Sequence, residues 1–339
     1  MPNELSYKLL INYFKNFIKI RFKKTPVLEP LFFTFYNTLR CNFSCSYCDF
    51  AEGKKGKDSF PELDTQETKN LLKIIRQACP NIYFTGGEPL LRNDIADIVK
   101  YCKQTGFKSI SINTNMSLIH RRIEVLDSIT NLIASFDVMD ENICKEIYGI
   151  SLTVAKQVKD NIIHCARLQK EKNFIMTINC VVIPETVRYV KDVMNFCFEH
   201  SMRFAIVPAE LEGGEINNRL FNNKEYQDLI RDIIQAKKDG KPVFGSKKYL
   251  ETILHFNPFE CYPTLTPHIY PNGDLFYPCE PLLKVGGNIL AAGSYKTALI
   301  SGMEKFGSLP FCKNKCYKAC YIEPSIFIKN PSLLIEEAI

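Results

Sequence analysis

Strand-like and helix-like segments alternate along this chain from about residue 30 to residue 240. Six short apolar runs have the composition of β-strands, and they cover residues 31–39, 82–84, 109–113, 132–136, 175–183 and 203–208. The stretches between them place apolar residues every three or four positions, as amphipathic helices do. Strand–helix alternation repeated six times is typical of a parallel sheet with helices outside it. The chain is therefore predicted to be an α/β protein, a partial (β/α)6 TIM-like barrel, although periodicity alone does not distinguish six units from eight.

The clearest helix has both of its ends marked in the sequence. Asp64 can cap the first turn, and Glu67 three residues later completes a capping box. A proline after Cys79 ends the helix, because the residue before a proline disfavours helical backbone. Residues 153–172 and 187–200 have helical patterns of the same kind.

Composition limits the classes of protein to which the chain can belong. Its 339 residues suffice for one large α/β domain and a smaller one, and a net charge of +6 is too mild to indicate a nucleic-acid partner. Residues 1–30 do not resemble a signal peptide, and no apolar run is long enough to span a bilayer. Fourteen cysteines in a chain that is not exported indicate metal binding or reduced thiols rather than disulfides. We therefore predict a cytoplasmic protein.

Three cysteines, Cys41, Cys45 and Cys48, lie in one tight loop directly after the first predicted strand. A structural zinc site needs four ligands in a tetrahedron, which is one more than this loop offers. An iron–sulfur cubane held by three cysteines keeps one iron open for another ligand. The loop is therefore either an iron–sulfur site with an open iron or a zinc site that takes its fourth ligand from elsewhere.

Polar groups follow the next three predicted strands. The segment T-G-G-E-P (residues 85–89) follows the second strand, N-T-N (113–115) ends the third, and S-F-D (135–137) ends the fourth. Functional groups in β/α barrels gather at the carboxyl ends of the strands. We therefore expect these segments to share one site with the cysteine loop, which a chance cysteine triplet would not predict.

The spacing C-x3-C-x2-C, with aromatic Tyr47 just before the third cysteine, resembles the cluster loop of the radical S-adenosylmethionine (radical SAM) superfamily. With the segments that follow, the resemblance covers about residues 31–210. It implies that Cys41, Cys45 and Cys48 bind a [4Fe–4S] cluster whose open iron chelates the methionine moiety of SAM. It also implies that Tyr47 lies near the adenine.

The resemblance extends to the polar segments. Gly86, Gly87 and Glu88 match a segment of the family that contacts the methionine amino group. Glycines there permit close backbone approach, and a carboxylate accepts hydrogen bonds from an ammonium group. Met116 stands where relatives often carry glycine. The candidates for the carboxylate and ribose hydroxyls of SAM are Asn113, Asn115, Ser135, Asp137 and, on the fifth strand, Asn179.

The activity implied by the resemblance is reductive cleavage of SAM to methionine and a 5′-deoxyadenosyl radical. That radical removes hydrogen from an unactivated carbon or adds to an alkene, as oxidoreductases or transferases of the superfamily do. A low-potential reductant such as flavodoxin or ferredoxin is the expected partner, and oxygen is expected to destroy the activity. No residue stands out as a catalytic acid or base.

A second group of cysteines follows residue 240, where the strand–helix alternation stops. Cys261 opens the segment, and Asn272-Gly273 between alternating apolar residues predicts a hairpin. The segment resembles the small auxiliary-cluster domain of radical SAM enzymes, called SPASM or twitch, and five cysteines suffice for one auxiliary [4Fe–4S] cluster. The favoured ligands are Cys261, Cys279, Cys312 and Cys316, with Cys320 interchangeable with Cys316. A zinc site is the alternative.

The remaining cysteines lie in helix or strand patterns and are predicted to be small buried residues. They are Cys79, Cys102, Cys144, Cys165, Cys180 and Cys197.

The pattern of residues 5–24 predicts a basic helix with bulky apolar side chains. Leu10, Phe14, Phe17 and Ile18 form one helical stripe, interleaved with lysines. Such a helix can lie on an anionic membrane surface, here the inner face of the membrane. Equally, it can close the bottom of the barrel with its lysines extended to solvent.

Three domains are predicted: an amphipathic helix (1–27), a radical SAM core (28–240) and an auxiliary-cluster domain (241–339). The leading hypothesis is a radical SAM enzyme whose substrate is unidentified, with a lipid or isoprenoid favoured by the first helix. Within the superfamily, the alternatives are a maturase of a ribosomal peptide and a small-molecule dehydrogenase. A non-catalytic iron–sulfur or zinc protein is the alternative of another class, although the Gly-Gly-Glu segment counts against it.

Overall fold

The structure is a computed structural model that describes residues 7–23, 27–48, 60–211, 214–307 and 316–333. One sheet of nine strands dominates these residues, in the order β6-β5-β4-β3-β2-β1-β7-β8-β9. The strands are β1 (Phe33–Thr38), β2 (Asn81–Gly86), β3 (Ser109–Thr114), β4 (Asn131–Ser135), β5 (Ile175–Val182), β6 (Arg203–Pro208), β7 (His268–Ile269), β8 (Asp274–Phe276) and β9 (Val285–Asn288).

The helices connect these strands and cover one face of the sheet. They are α1 (Tyr7–Ile18), α2 (Thr65–Ala78), α3 (Ile95–Gln104), α4 (Glu141–Tyr148), α5 (Leu152–Lys172), α6 (Val190–Glu199), α7 (Lys224–Lys238), α8 (Lys247–His255), α9 (Ile289–Ala292), α10 (Tyr295–Phe306) and α11 (Ala319–Lys329). A π-helical segment, Lys19–Lys23, extends α1.

Strands β1 to β6 are all parallel, and each pairs with the next along the chain. Each also overlaps one of the six strands expected from the sequence. Phe33 and Phe35 of β1 are fully buried on the outer face of the sheet, in one core with Leu71 and Ile75 of α2. The α/β fold with a parallel sheet and outer helices is therefore confirmed.

The predicted capping box of α2 is present. The Asp64 side chain accepts a hydrogen bond from the backbone of Glu67 at 2.8 Å, and the Glu67 side chain accepts one from the backbone of Asp64 at 2.9 Å. The helix ends at Ala78, with Cys79 as its extended C-cap.

Two connections differ from the simple alternation. The link from β3 to β4 contains only short 3₁₀ turns, Ile119–Arg121 and Ile123–Asp127, whereas two helices, α4 and α5, follow β4. The link after β3 begins with Ser117 donating both its backbone N–H (3.0 Å) and its hydroxyl (2.7 Å) to the Asn115 side chain. Such local bonds compete with regular helix.

The hairpin expected at Asn272-Gly273 is also present. Gly273 has a φ of +85°, and β7 and β8 pair antiparallel with Ile269 opposite Leu275. Strand β7 pairs in parallel with β1, so the sheet continues without interruption into residues 268–288. Helix α8 likewise continues the helical layer past residue 240. The division into domains at that residue stays a prediction.

Helix α1 lies at the amino-terminal end of the strands. Its Asn12 side chain donates to the carbonyl of Pro30, just before β1, and to that of Ala78, at the end of α2. Leu10, Phe14 and Phe17 are exposed. None of the helices in the described ranges is long and apolar enough to cross a membrane.

Candidate functional site

The three cysteines of the first motif lie just beyond β1, at the carboxyl end of the sheet, and each is partly exposed. Burial raises the pKa of the Cys45 thiol, and the charges of Cys48, Asp137 and Cys41 raise it further. The three sulfur atoms are thus close enough to repel one another when all are thiolates. A bound metal centre would offset this repulsion. Among the described residues, no group of three His, Cys, Asp or Glu side chains is arranged so that it could hold a single metal ion.

The Gly86-Gly87 turn lies directly against the residues that lead into Cys41. Gly87 N–H donates to the Thr38 carbonyl at 2.9 Å, and Glu88 N–H donates to the Arg40 carbonyl at 2.7 Å. A Cβ on Gly86, whose φ is +133°, would lie 2.0 Å from the Thr38 oxygen, and one on Gly87 would lie 2.1 Å from the Arg40 oxygen. Only glycine permits this approach of two backbones.

Glu88 is fully buried and joins the ends of β2 and β3. Its Oε1 accepts from Leu90 N–H (3.0 Å) and the Thr114 hydroxyl (2.7 Å), and its Oε2 accepts from Asn115 N–H (2.7 Å). Burial raises the pKa of Glu88 to about 7, against the opposing effect of these three donors. The carboxylate therefore already binds three groups of the protein, and its contact with the SAM amino group stays a prediction.

We expect Glu88→Gln to lower the free energy of unfolding by about 1–3 kcal/mol, because one amide N–H₂ would face a buried N–H donor. Urea unfolding measures this, with the exposed Glu124→Gln as the matched control that should change little. Weaker SAM binding at unchanged stability would instead identify Glu88 as a direct ligand.

Asp137 ties the cysteine loop to β5. Tyr47, between Cys45 and Cys48, donates its hydroxyl to Oδ2 at 2.5 Å, and Val181 N–H donates to Oδ1 at 2.7 Å. Burial raises the pKa of Asp137 to about 6, although hydrogen bonds from Tyr47, Val181 and Tyr148 oppose this. One carboxylate oxygen thus binds the cysteine loop and the other binds β5.

The carboxyl end of α4 holds the same loop from the other side. Ser44 N–H donates to the Tyr148 carbonyl and Ser46 N–H to the Ile147 carbonyl, both at 2.9 Å. The last carbonyls of a helix lack partners within it, so the loop satisfies two of them. The Phe43 ring also stacks on Tyr148, with centroids 5.8 Å apart.

Three of the predicted polar groups lie side by side on neighbouring strands. The Ser135 hydroxyl donates to the Asn113 side chain at 3.3 Å, and Ser135 pairs in register with Asn179. The structure therefore brings these three residues together on the inner face of the sheet, opposite the helices.

Asn115 connects β3 to the cysteine loop. Its side-chain N–H₂ donates to Asn42 Oδ1 at 3.0 Å and lies 4.0 Å from the Cys41 sulfur. The next residue, Met116, has a φ of +65°, the left-handed conformation that favours glycine. Its carbonyl accepts from the Asn161 side chain at 2.7 Å. The chain thus keeps a glycine-like turn with a buried methionine.

The carboxyl-terminal cysteines are only partly accounted for, because Cys312 lies outside the described residues. Cys316 and Cys320 flank the start of α11, and the charge of Cys320 contributes, after burial, to raising the pKa of Cys316. The Cys320 sulfur is 4.0 Å from His268 Nε2. Cys279 lies near α11. Burial raises the pKa of Tyr321, a residue of that helix, and the charge of Cys279 raises it further. Cys261 is partly exposed.

A charged cluster that the sequence did not reveal lies beside these cysteines. Lys318 forms ion pairs with Glu280 and, at 3.6 Å, with Glu210. Burial lowers the pKa of Lys318, but the two carboxylates outweigh it and raise the pKa well above its ordinary value. Glu210 Oε2 is buried without a hydrogen-bond partner among the described residues.

His268 borders this cluster. Burial and the charge of Lys318 lower its pKa to about 3, so the ring is neutral. Nδ1 lies 2.8 Å from the Thr266 carbonyl, which only accepts, so Nδ1 carries the proton and Nε2 presents a lone pair toward Cys320. His268 could therefore supply a nitrogen ligand to a metal centre at these cysteines.

Features of the sequence could have indicated the charged residues of this cluster. Glu280 follows Cys279 directly, and Lys318 lies between two spaced cysteines. Glu210 follows the carboxyl end of the sixth strand, and functional groups in β/α barrels gather at the carboxyl ends of the strands.

Part of the chain matches a known protein family. The family model described as Radical SAM superfamily matches residues 37–197. A "Probable GTP 3',8-cyclase" of Methanococcus aeolicus is 29% identical over 63% of this chain and 71% of its own length. A protein of the same name from Sulfurisphaera tokodaii is 27% identical over 62% of this chain and 64% of its own length.

Solved structures resemble the fold. SuiB of Streptococcus suis superimposes with a TM-score of 0.62 at 20% identity, over 93% of this chain and 78% of SuiB. The structure of anSMEcpe with bound AdoMet gives a TM-score of 0.61 at 19% identity, over 90% of this chain and 98% of that chain. Residues 37–197, just under half of the chain, thus match the radical SAM superfamily, whose members use a [4Fe–4S] cluster and S-adenosylmethionine.

Proposed function

We propose that Cys41, Cys45 and Cys48 hold the [4Fe–4S] cluster at which SAM is cleaved, and that a polar organic substrate binds on the inner face of the sheet. The observation that carries the proposal is the backbone junction between the Gly86-Gly87 turn and residues 38–40. It holds the cysteine loop and the strand ends in one place.

The donor set suits such a cluster, because three thiolates leave one iron open. When bound, the cluster supplies the electron that divides SAM into methionine and the 5′-deoxyadenosyl radical. The chain's own groups would position SAM. Asn113, Ser135 and Asn179 offer hydrogen bonds on adjacent strands, while Asp137 and Glu88 fix the loops that carry Tyr47 and Asn115.

The charges near the inner face favour a substrate with amine, amide or hydroxyl groups. Glu210 and Glu280 place two carboxylates against the single ammonium of Lys318, and Glu210 Oε2, 3.6 Å from that ammonium, has no hydrogen-bond partner among the described residues. A peptide would suit this cluster. A triphosphate, as the names of the two cyclase relatives imply for them, would require more cationic groups than these three residues provide.

A lipid or isoprenoid is the second candidate substrate, favoured by the exposed apolar residues of α1. A small-molecule dehydrogenase remains within the same reaction class. The match to the radical SAM superfamily counts against the alternative of a non-catalytic iron–sulfur or zinc protein.

We further propose a SPASM/twitch-like domain over residues 241–339 that holds one auxiliary [4Fe–4S] cluster. Cys261, Cys279, Cys312 and Cys316 are the preferred ligands, with Cys320 interchangeable with Cys316. The position of Cys320, 4.0 Å from His268 and close enough to Cys316 to affect its pKa, supports this. A flavodoxin- or ferredoxin-type reductant and a membrane contact of residues 5–24 complete the proposed partners.

With SAM and a strong reductant, the anaerobically reconstituted protein is expected to release methionine and 5′-deoxyadenosine without added substrate. It should hold about eight irons, four per cluster. The triple Cys41/Cys45/Cys48→Ala variant should lose about half of them and all cleavage.

The matched control is Cys102/Cys165/Cys197→Ala, which removes three buried helical cysteines and should keep both iron and cleavage. Zinc saturation of both sites would overturn the proposal. So would S-adenosylhomocysteine as the only product, which indicates methyl transfer.

A further inference from the structure

Helix α1 is fixed to the protein by polar groups. Asn12 and Asn16 are 1% and 0% exposed. Asn12 donates to the Pro30 carbonyl at 2.8 Å and the Ala78 carbonyl at 3.1 Å. Asn16 exchanges two hydrogen bonds with the backbone of Glu29, at 2.9 and 2.6 Å. Buried amides with backbone partners specify one position of the helix, because a shift would leave them unpaired.

The large apolar residues point the other way. Leu10, Phe14 and Phe17 are 49%, 67% and 40% exposed, and Phe22 in the π-helical segment is 73% exposed. The spacing of the first three puts them on one helical face, and at about 100° per residue that face lies opposite Asn12 and Asn16. An exposed stripe of this kind marks an interaction surface.

The surface around this stripe is basic. Residues 7–23 contain four lysines and one arginine and no acidic residue. Lys15 and Arg21 are exposed, while Lys19 pairs with Glu29 at 2.7 Å. The fold adds the exposed Lys296 of α10. Burial raises the pKa of Glu29, but the hydrogen bond and charge of Lys19 and the charges of Lys15 and Lys296 lower it.

The stripe lies at the end of the sheet that is remote from the cysteine loop. Asn12 and Asn16 contact residues 29 and 30, which precede β1, whereas Cys41 follows β1. Six residues of strand separate these two ends by about 20 Å.

We infer that this surface, Leu10, Phe14, Phe17 and Phe22 with the surrounding basic residues, docks the protein on an anionic bilayer with the cysteine loop turned away from it. Aromatic residues enter the headgroup boundary and the basic residues attract anionic lipid. Membrane binding then locates the enzyme, while the substrate reaches the carboxyl ends of the strands from water. The inference rests on the membrane contact proposed above and adds its residues and orientation, but it does not depend on the proposed reaction, since lipid binding alone tests it.

The chain contains no tryptophan, so one introduced tryptophan reports on one place. Phe14→Trp labels the stripe, and Glu146→Trp labels an exposed position of α4 beside the cysteine loop. The probe is vesicles of phosphatidylcholine with phosphatidylglycerol, with and without brominated acyl chains. The Phe14→Trp emission should shift to the blue and be quenched by bromine, and that of Glu146→Trp should do neither.

Affinity variants separate the contributions. Phe14→Ser/Phe17→Ser should weaken vesicle binding by at least about tenfold, because each phenylalanine loses buried apolar area. Phe244→Ser, at an exposed phenylalanine elsewhere, should leave binding unchanged. Lys15→Glu should weaken it by about fivefold or more at low salt, and Lys73→Glu on α2 should not. Far-UV circular dichroism checks that each variant folds.

Quenching of Glu146→Trp in place of Phe14→Trp would overturn the inference, because the catalytic end would then face the bilayer. Absence of binding at low salt would overturn it as well. A concentration-dependent blue shift of Phe14→Trp without vesicles would also do so, since it would identify a second copy of the chain as the occupant of the stripe.

Discussion

Gly87→Ala is expected to abolish iron binding at Cys41, Cys45 and Cys48. The new Cβ would lie 2.1 Å from the Arg40 oxygen, 2.5 Å from the Arg40 carbon and 2.8 Å from the Leu39 oxygen. All three are backbone atoms, so no side-chain rotation relieves the overlap. Cys41 is the next residue along the chain and must move with them. Overpacking costs typically about 1–3 kcal/mol where side chains can adjust, and we expect more here.

Iron analysis after anaerobic reconstitution and urea unfolding measure the two effects. Gly240→Ala is the control, because a Cβ there meets nothing within 4 Å although its φ is +77°. That control should lose about 1 kcal/mol from backbone strain and keep its iron. Retention of the full iron content by Gly87→Ala would show that the junction does not position the loop.

Asp137→Ala is expected to loosen the cysteine loop. It leaves the Tyr47 hydroxyl and the Val181 N–H without their acceptor in a buried site. Each unsatisfied buried group costs about 1–3 kcal/mol, so the free energy of unfolding should fall by about 2–6 kcal/mol. Faster hydrogen exchange at residues 44–48 should accompany the loss, because the loop loses one of its attachments.

Asp140→Ala serves as the control for this prediction. Asp140 caps α4 through Asn142 and Ile143, so its loss should cost only about 1 kcal/mol. Tyr47→Phe should have an intermediate effect, since it removes one of the two bonds and keeps the ring. Equal losses for Asp137→Ala and Asp140→Ala would contradict the role assigned to Asp137.

Local signals in the sequence predicted much of the fold. The capping box at Asp64 and the hairpin at Asn272-Gly273 each depend on residues within a few positions of one another. Strand–helix order likewise follows from local periodicity, and parallel strands then bring their carboxyl ends to one edge. For that reason Cys41, Glu88 and Asn115 could be expected in one site before any contact was known.

Partners distant in sequence could not be predicted in the same way. Glu88 was predicted to contact the SAM amino group, and its hydrogen bonds to Thr114 and Asn115 had no signal in the sequence. Lys318 and Glu210 meet only because α11 returns to the end of β6. Asn12 likewise carries no signal in the sequence that it anchors the helix to Pro30.

Because β1 pairs with β7, the sheet can finish folding only after β7 has been synthesised. The ribosome adds about 5–20 residues per second, so His268 emerges about 10–50 s after Thr34, its partner in the sheet. During that interval β1 has one unpaired edge, which is a site of mispairing with other chains. The cysteine loop begins three residues beyond β1 and shares this exposure. We therefore expect iron to be inserted at the cysteine loop after translation has ended. Expression at low temperature or with a chaperone should then raise the yield of iron-containing protein.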